Sequence, residues 1–231
     1  MTQRERLQSG GKWSVSVGDE TVTALYEPPT AETKAVFVCA HGAGGNMNDR
    51  SVTATAKALR DHGVGVVRYN FQYTEKGSKR PDPMPRLKEC VSAVVARTRD
   101  ELSPELLVMG GRSMGGRASS MLAADGFDCD GLLLLAYPLH PAGQPTKLRD
   151  AHLPAIKMPV ICFSGTRDPL CDRSLMENAL RTVTTDWEMH WVEGADHSFH
   201  VLKSSGRTDA GVLEEIGAAA ENWVRRIATP S

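Results

Sequence analysis

Ser113 stands between glycines at the end of an apolar run, and a serine in that setting could act as a nucleophile. The run from Leu106 to Met109 leads into Gly111-Arg-Ser-Met-Gly115, and a helix-compatible segment follows. A strand-to-helix turn that exposes a serine hydroxyl needs glycines two positions before and after it, because the neighbouring chain passes too close for side chains. The spacing predicts such a nucleophile elbow, although a tight turn whose serine only caps the next helix would fit the same five residues.

Asp168 and His197 are the candidates for the acid and the base that a nucleophilic serine requires. A serine hydroxyl is a poor nucleophile at neutral pH, so it needs an adjacent base, and the base needs a partner that fixes its tautomer. Both residues directly follow predicted strands, and the order Ser, Asp, His predicts that His197 takes the proton of Ser113 while Asp168 orients the imidazole. His200 and Asp172 are the alternative base and acid.

A second glycine cluster, His41-Gly-Ala-Gly-Gly45, follows an earlier apolar strand and could supply hydrogen-bond donors. Backbone N–H groups that point into a site stabilise a developing oxyanion, and the residue after the nucleophile usually provides the other donor. We therefore predict an oxyanion hole from Ala43 and Met114. A plain flexible loop is the alternative, and His41 fits a structural role in this turn better than the role of base.

The predicted substrate pocket draws on Tyr73, Arg80 and Arg112. The polar loop at 72–83 follows a strand and is long enough to help wall a pocket at the carboxyl ends of the strands. Arg112 and Arg167 flank the candidate nucleophile and acid, so an anionic substrate group could gain charge-assisted hydrogen bonds there. Solvated loop charges and arginines that pair with other protein groups are the alternatives.

These residues require a sheet that brings several strand ends to one edge, and the chain provides one. Apolar strands alternate with segments of helical spacing, which predicts an α/β fold with a doubly wound, mostly parallel sheet. An antiparallel hairpin around Gly18-Asp19 precedes it. Residues 138–158 contain four prolines and no long periodic segment, so we expect no sizeable cap domain. The predicted strands are Lys12–Val17, Glu20–Tyr26, Ala35–Ala40, Val64–Phe71, Leu106–Met109, Gly131–Tyr137, Pro159–Gly165 and Trp187–Val192, and the predicted helices are Ser51–His62, Leu87–Leu102, Gly115–Ala124, Leu175–Val183 and Ala210–Ile227.

Bulk composition restricts the class of protein further. The 231 residues suit one domain spanning 1–231, and a hydrophobic fraction of 41% with 24% charged residues is ordinary for a globular chain. A net charge of -1 gives no overall attraction to nucleic acid or to an anionic membrane. The five cysteines form no C-x-x-C pair, and the N-terminus has no apolar core of signal-peptide length. We expect a cytoplasmic protein with no metal or organic cofactor, no nucleic-acid partner and no membrane partner, and the sequence leaves its oligomeric state open.

The chain resembles the α/β-hydrolase superfamily over nearly its whole length. Within it, the sequence is similar to a small dienelactone-hydrolase-like group of predicted serine hydrolases that includes a testis-expressed protein and a subunit of a nuclear histone-acetyltransferase complex. The stretches that carry the resemblance are His41-Gly-Ala-Gly-Gly-Asn46, Arg68-Tyr-Asn-Phe71, Gly111-Arg-Ser-Met-Gly-Gly-Arg117, Tyr137-Pro-Leu-His140, Gly165-Thr-Arg-Asp168 and Asp196-His-Ser198.

The resemblance implies the fold and a triad at Ser113, Asp168 and His197, but it implies no substrate. Dienelactone hydrolase itself uses a cysteine nucleophile, so the serine at position 113 does not imply that specific activity. Our leading hypothesis is a serine carboxylesterase that cleaves small esters or thioesters through an acyl-enzyme. The alternative is a binding or scaffold protein on the same fold, a role that is admissible because some members serve as subunits of protein complexes.

Overall fold

The central feature of the computed structural model, which describes residues 2–30 and 35–229, is an eight-stranded sheet. Its order is β1-β2-β4-β3-β5-β6-β7-β8, where β1 and β2 are the antiparallel edge and all pairs from β4 to β8 are parallel. The predicted doubly wound sheet with an N-terminal hairpin is therefore confirmed. The strands are β1 (Gly11–Val17), β2 (Glu20–Glu27), β3 (Ala35–Ala40), β4 (Gly65–Tyr69), β5 (Leu106–Arg112), β6 (Gly131–Leu135), β7 (Val160–Gly165) and β8 (Trp187–Val192).

Helices cover both faces of this sheet. Those on one face include α4 and α5, and those on the other include α2 and α7, which pack against each other. In α2 the buried residues Val52, Ala56 and Leu59 recur at helical spacing, so one stripe of the helix faces the sheet. The helices are α1 (Gln3–Gln8), α2 (Arg50–Asp61), α3 (Gln72–Glu75), α4 (Met84–Leu102), α5 (Met114–Ala124), α6 (Arg173–Ala179) and α7 (Asp209–Ala228).

The central strands are buried on both faces, which explains why their sequences are continuous apolar runs. In β3, β4, β6 and β7 every residue is buried. The hairpin strands β1 and β2 instead alternate buried and more accessible positions, as expected for an edge that packs on one side only. The turn between them contains Gly18 in the left-handed region, with a φ of 57°.

Several short elements differ from the sequence predictions. Helix α1 lies in a segment for which no helix or strand is predicted, and Thr2 and Glu5 form a reciprocal capping box at its start. Part of the loop at 72–83 forms the short helix α3. The predicted helix at 175–183 begins earlier, at Arg173, because the Asp172 side chain caps it, and it ends as a 3-10 turn at Leu180–Thr182.

The connection after β6 stays irregular, as predicted. Between β6 and β7 the structure contains only one 3-10 turn, Leu153–Ala155. This turn packs against α5, and it forms no cap domain over the carboxyl edge. Across the described ranges 2–30 and 35–229, no helix is both long enough and apolar enough to cross a membrane.

Candidate active site

Ser113 occupies a sharp turn between β5 and α5. Its φ of 50° and ψ of -116° are strained for a residue with a side chain. The turn is pinned by the Ser113 N–H, which donates to the Leu135 carbonyl at 2.8 Å. A β-carbon on Gly111 would lie 2.3 Å from the Ala40 oxygen, and one on Gly115 would lie 2.6 Å from the Ala40 β-carbon. Both glycines are therefore required because the end of β3 passes directly against the turn.

A chain of hydrogen bonds joins Ser113, His197 and Asp168 at the carboxyl edge of the sheet. The His197 Nε2 atom lies 3.0 Å from the Ser113 Oγ atom, and its Nδ1 atom lies 2.7 Å from the Asp168 Oδ2 atom. The Asp168 side chain is fully buried, and its other oxygen accepts the Leu170 N–H at 2.8 Å. An ionised carboxylate can only accept at Nδ1, so it leaves Nε2 free to accept the serine proton.

The alternative base, His200, and the alternative acid, Asp172, form hydrogen bonds elsewhere in the protein. His200 is more than half exposed, and its Nδ1 atom lies 2.9 Å from Asp209 at the start of α7. Asp172 caps helix α6 by accepting the Leu175 N–H at 2.9 Å. Neither residue makes a hydrogen bond to Ser113 or His197 within the described chain, so the geometry favours the first pair.

The loop that follows β3 brings Ala43 close to the elbow. A β-carbon on the neighbouring Gly42 would lie 3.7 Å from the Ser113 β-carbon, so the two turns are in contact. Over the residues that the structure covers, the N–H groups of Ala43 and Met114 donate to no protein acceptor. Met114 directly follows Ser113 and Ala43 directly follows Gly42, so both N–H groups are candidates for binding a developing oxyanion.

His41 and Tyr73 contact the loop after β3 from its buried side. The His41 ring is buried; its Nδ1 atom lies 2.8 Å from the Gly42 carbonyl oxygen, and its Nε2 atom accepts the Phe71 N–H at 3.2 Å. Burial lowers the pKa of His41, which favours the neutral ring that these bonds require. The Tyr73 hydroxyl donates to the same Gly42 carbonyl at 3.4 Å.

Of the three predicted pocket residues, Tyr73 and Arg112 contact other parts of the protein, whereas Arg80 is exposed on its loop. Tyr73 is only 2% exposed and its hydroxyl contacts Gly42 in the loop after β3, so it supports that loop and does not line an open pocket. Arg112 donates through Nη2 to the His197 carbonyl at 2.6 Å and to the Ser198 hydroxyl at 3.2 Å, and burial lowers its pKa. Its guanidinium thus contacts the loop after β8 that carries His197, which we call the histidine loop. Arg80 is exposed, and its described bonds are backbone contacts with the Ser78 hydroxyl.

Comparison with known proteins assigns the chain to a family. Residues 33–225 match the model of the alpha/beta hydrolase domain, which covers most of the chain. The chain belongs to the α/β-hydrolase family. The superfamily predicted from the elbow and its flanking stretches is therefore confirmed.

Solved structures of other α/β hydrolases share the fold at low sequence identity. An alpha-beta serine hydrolase homologue from Coxiella burnetii is 22% identical, with a TM-score of 0.74 over 90% of this chain and 96% of its own. An α/β serine hydrolase without lid from Xanthomonas campestris is 21% identical, with a TM-score of 0.74 over 93% and 95%. Dienelactone hydrolase from Anabaena variabilis is 20% identical, with a TM-score of 0.73 over 94% and 97%.

Two further features complete the description of this α/β hydrolase. Within residues 2–30 and 35–229, no group of three or more His, Cys, Asp or Glu side chains is arranged to hold a metal ion. The contacts of Arg112 with His197 and Ser198 fit the alternative in which an arginine beside the nucleophile pairs with other protein groups.

Proposed function

We propose that this α/β hydrolase is a serine carboxylesterase that cleaves small esters or thioesters through an acyl-enzyme. The observation that carries the proposal is the continuous set of hydrogen bonds from Ser113 through His197 to the buried Asp168. The strained backbone of Ser113 supports it, because such geometry persists where it holds a reacting group in place.

Each residue has a defined step in the proposed reaction. The Ser113 Oγ atom attacks the ester carbonyl while His197 Nε2 takes its proton, and the N–H groups of Ala43 and Met114 bind the oxyanion. Collapse of the tetrahedral intermediate expels the alcohol, which receives the proton from His197. A water molecule then attacks the acyl carbonyl while His197 takes one of its protons. Collapse of this second intermediate breaks the bond to Ser113 Oγ, releases the acid and returns the proton from His197 to the serine, and Asp168 stabilises the imidazolium in both halves.

Small substrates are favoured by the absence of a cap between β6 and β7. The irregular connection at 138–158 leaves the carboxyl edge uncovered, so a long acyl chain would extend into water. A buried methylene group contributes about 0.8 kcal/mol and a solvated one almost nothing, so efficiency should stop rising after a few carbons. For the same reason, we expect no jump in rate when the substrate passes its solubility limit.

Hydrolysis of 4-nitrophenyl esters of graded acyl length, by wild-type protein and by Ser113→Ala, tests the proposal. We expect turnover of short esters that Ser113→Ala loses by several orders of magnitude. Absence of turnover that depends on Ser113 would favour a binding or scaffold role instead. A preference for long chains would show that residues 138–158 form a lid.

A further inference from the structure

Arg117 carries a charge that nothing in the described chain neutralises. It lies in the first turn of α5, where its N–H donates to the Ser113 carbonyl at 3.0 Å. Its guanidinium makes no hydrogen bond and no ion pair with any residue that the structure describes, although its Nε atom is buried. Because buried donors are normally satisfied, an unpaired guanidinium on a residue whose backbone contacts the candidate nucleophile suggests a missing acceptor.

Arg149 brings a second positive charge to the same place. It lies on the connection after β6, and this part of the connection is fixed by the Tyr137 hydroxyl, which donates to the Arg149 carbonyl at 2.6 Å. The only side-chain bond of Arg149 in the described chain is a long one, 3.4 Å, to the Pro138 carbonyl. Pro138 lies three residues after Leu135, whose carbonyl accepts the Ser113 N–H, so the Arg149 side chain reaches the segment that follows the serine turn. Burial, and then the charge of Arg117, lower the pKa of Arg149, in agreement with this placement.

No neighbouring group compensates for this pair. His152 lies against Ser120, with its Nε2 atom 2.8 Å from the hydroxyl; burial, and then the charge of Arg117, lower the pKa of His152 to about 4, so it is neutral at pH 7. Asp125 pairs with Lys88 on the surface. Asp150 makes no ion pair with either arginine among the described residues.

The position of Arg117 is itself unfavourable for the protein alone. A positive charge in the first turn of a helix opposes the helix dipole, and repulsion from Arg149 adds to that penalty. Side chains on a helix tilt toward its N-terminus, and positions four apart share a face. Position 117 therefore lies on the same face of the start of α5 as Ser113.

We propose that Arg117 and Arg149 form a subsite for an anionic oxygen group of the substrate, a carboxylate or a phosphate, beside Ser113. Guanidinium groups bind both anions through paired N–H donors. The role of this subsite in catalysis rests on the proposed esterase function and narrows the substrates to esters that carry a negative charge. The binding of an anion at this subsite depends on the two arginines alone.

The first test compares 4-nitrophenyl hydrogen adipate with its methyl ester, which has the same chain without the charge. We expect wild-type kcat/KM to be about tenfold higher for the anion, because one charge-assisted hydrogen bond contributes a factor of about ten. The ratio should fall toward one in Arg117→Met and in Arg149→Met. It should survive in Arg225→Met, which removes an exposed arginine from α7 on the opposite face of the sheet. Equal efficiency for both esters in the wild type would overturn the inference.

The second test needs no turnover, so it separates the subsite from the esterase proposal. Monomethyl adipate and, separately, inorganic phosphate are titrated into Ser113→Ala protein by calorimetry, with and without Arg117→Met or Arg149→Met. We expect the dissociation constant of at least one anion to rise about tenfold with either arginine removed, and the tighter anion identifies the group. No binding of either anion, or binding that ignores both substitutions, overturns the inference even if esters are hydrolysed.

Melting without ligand distinguishes a binding arginine from a structural one. Since Arg117 loses no side-chain bond on substitution, the Tm of Arg117→Met should equal or exceed that of the wild type, as is common where a site is held at the expense of stability. A fall of several degrees would show that the guanidinium supports the fold and would contradict the subsite.

Discussion

Gly115→Ala tests the close contact on which the elbow depends. The added β-carbon would lie 2.6 Å from the Ala40 β-carbon and 2.6 Å from the His41 carbonyl oxygen. Neither atom can rotate away, because one is a β-carbon and the other is backbone. To reach an ordinary contact of at least 3.4 Å, helix α5 must move by about 0.8 Å away from the end of β3.

That movement should affect both stability and activity. Overpacking of this kind costs about 1–3 kcal/mol of the free energy of unfolding. It also separates the Met114 N–H, next to the substituted glycine, from the Ala43 N–H, which follows His41. Loss of one oxyanion donor lowers kcat by a factor of about 10²–10³, so we expect a loss within that range.

The assay combines urea unfolding with kcat for 4-nitrophenyl acetate. The matched control is Gly211→Ala, a glycine in the first turn of α7 whose added β-carbon meets only the Thr208 Oγ1 atom at 3.3 Å. The control should remain within about 1 kcal/mol of wild-type stability and keep its activity. If Gly115→Ala unfolds at the same urea concentration as the wild type and turns over as fast, the close contact does not constrain the site.

Three further predictions address the base, its support and the pH dependence of stability. His197→Ala should remove nearly all esterase turnover while His200→Ala keeps most of it, and the reverse pattern in a rate assay would mean that the base is misassigned. Arg112→Met should lower kcat with little change in KM, because the histidine loop loses two hydrogen bonds; an effect on KM alone would instead indicate direct substrate contact. Hydrogen bonds to Glu221 and Glu214 raise the pKa of His62 above its ordinary 6.5. This stabilisation is complete below pH 6.5 and disappears as the pH rises through the raised value, so the free energy of unfolding should fall across that window in the wild type and stay flatter in His62→Asn.

The order of the elements and the place of the site could be predicted because each has a local signal. Apolar runs buried on both faces mark β3 and β7, and glycines that cannot carry a β-carbon mark the turn at Ser113. The structure brings Asp168 and His197 to this turn because both follow strands that end at the same edge.

The pocket could not be predicted in the same way, since burial of a polar side chain depends on distant partners. Tyr73 lies in a polar loop, yet its hydroxyl reaches a carbonyl 31 positions away along the chain, at Gly42. Arg112 donates to the carbonyl of His197, which lies 85 positions away along the chain. Arg117 lies in one of the stretches that carry the family resemblance, but its lack of a counter-charge is visible only once the chain is folded.

Labelling with a fluorophosphonate probe, read by intact mass and peptide mapping, tests the central claim most directly. The reaction requires a serine activated by a neighbouring base and an oxyanion site, and it needs no knowledge of the natural substrate. We predict one covalent adduct per chain, located on Ser113, and no adduct in Ser113→Ala or in denatured protein. Native protein that remains unmodified, or that is modified at another residue, would contradict the account.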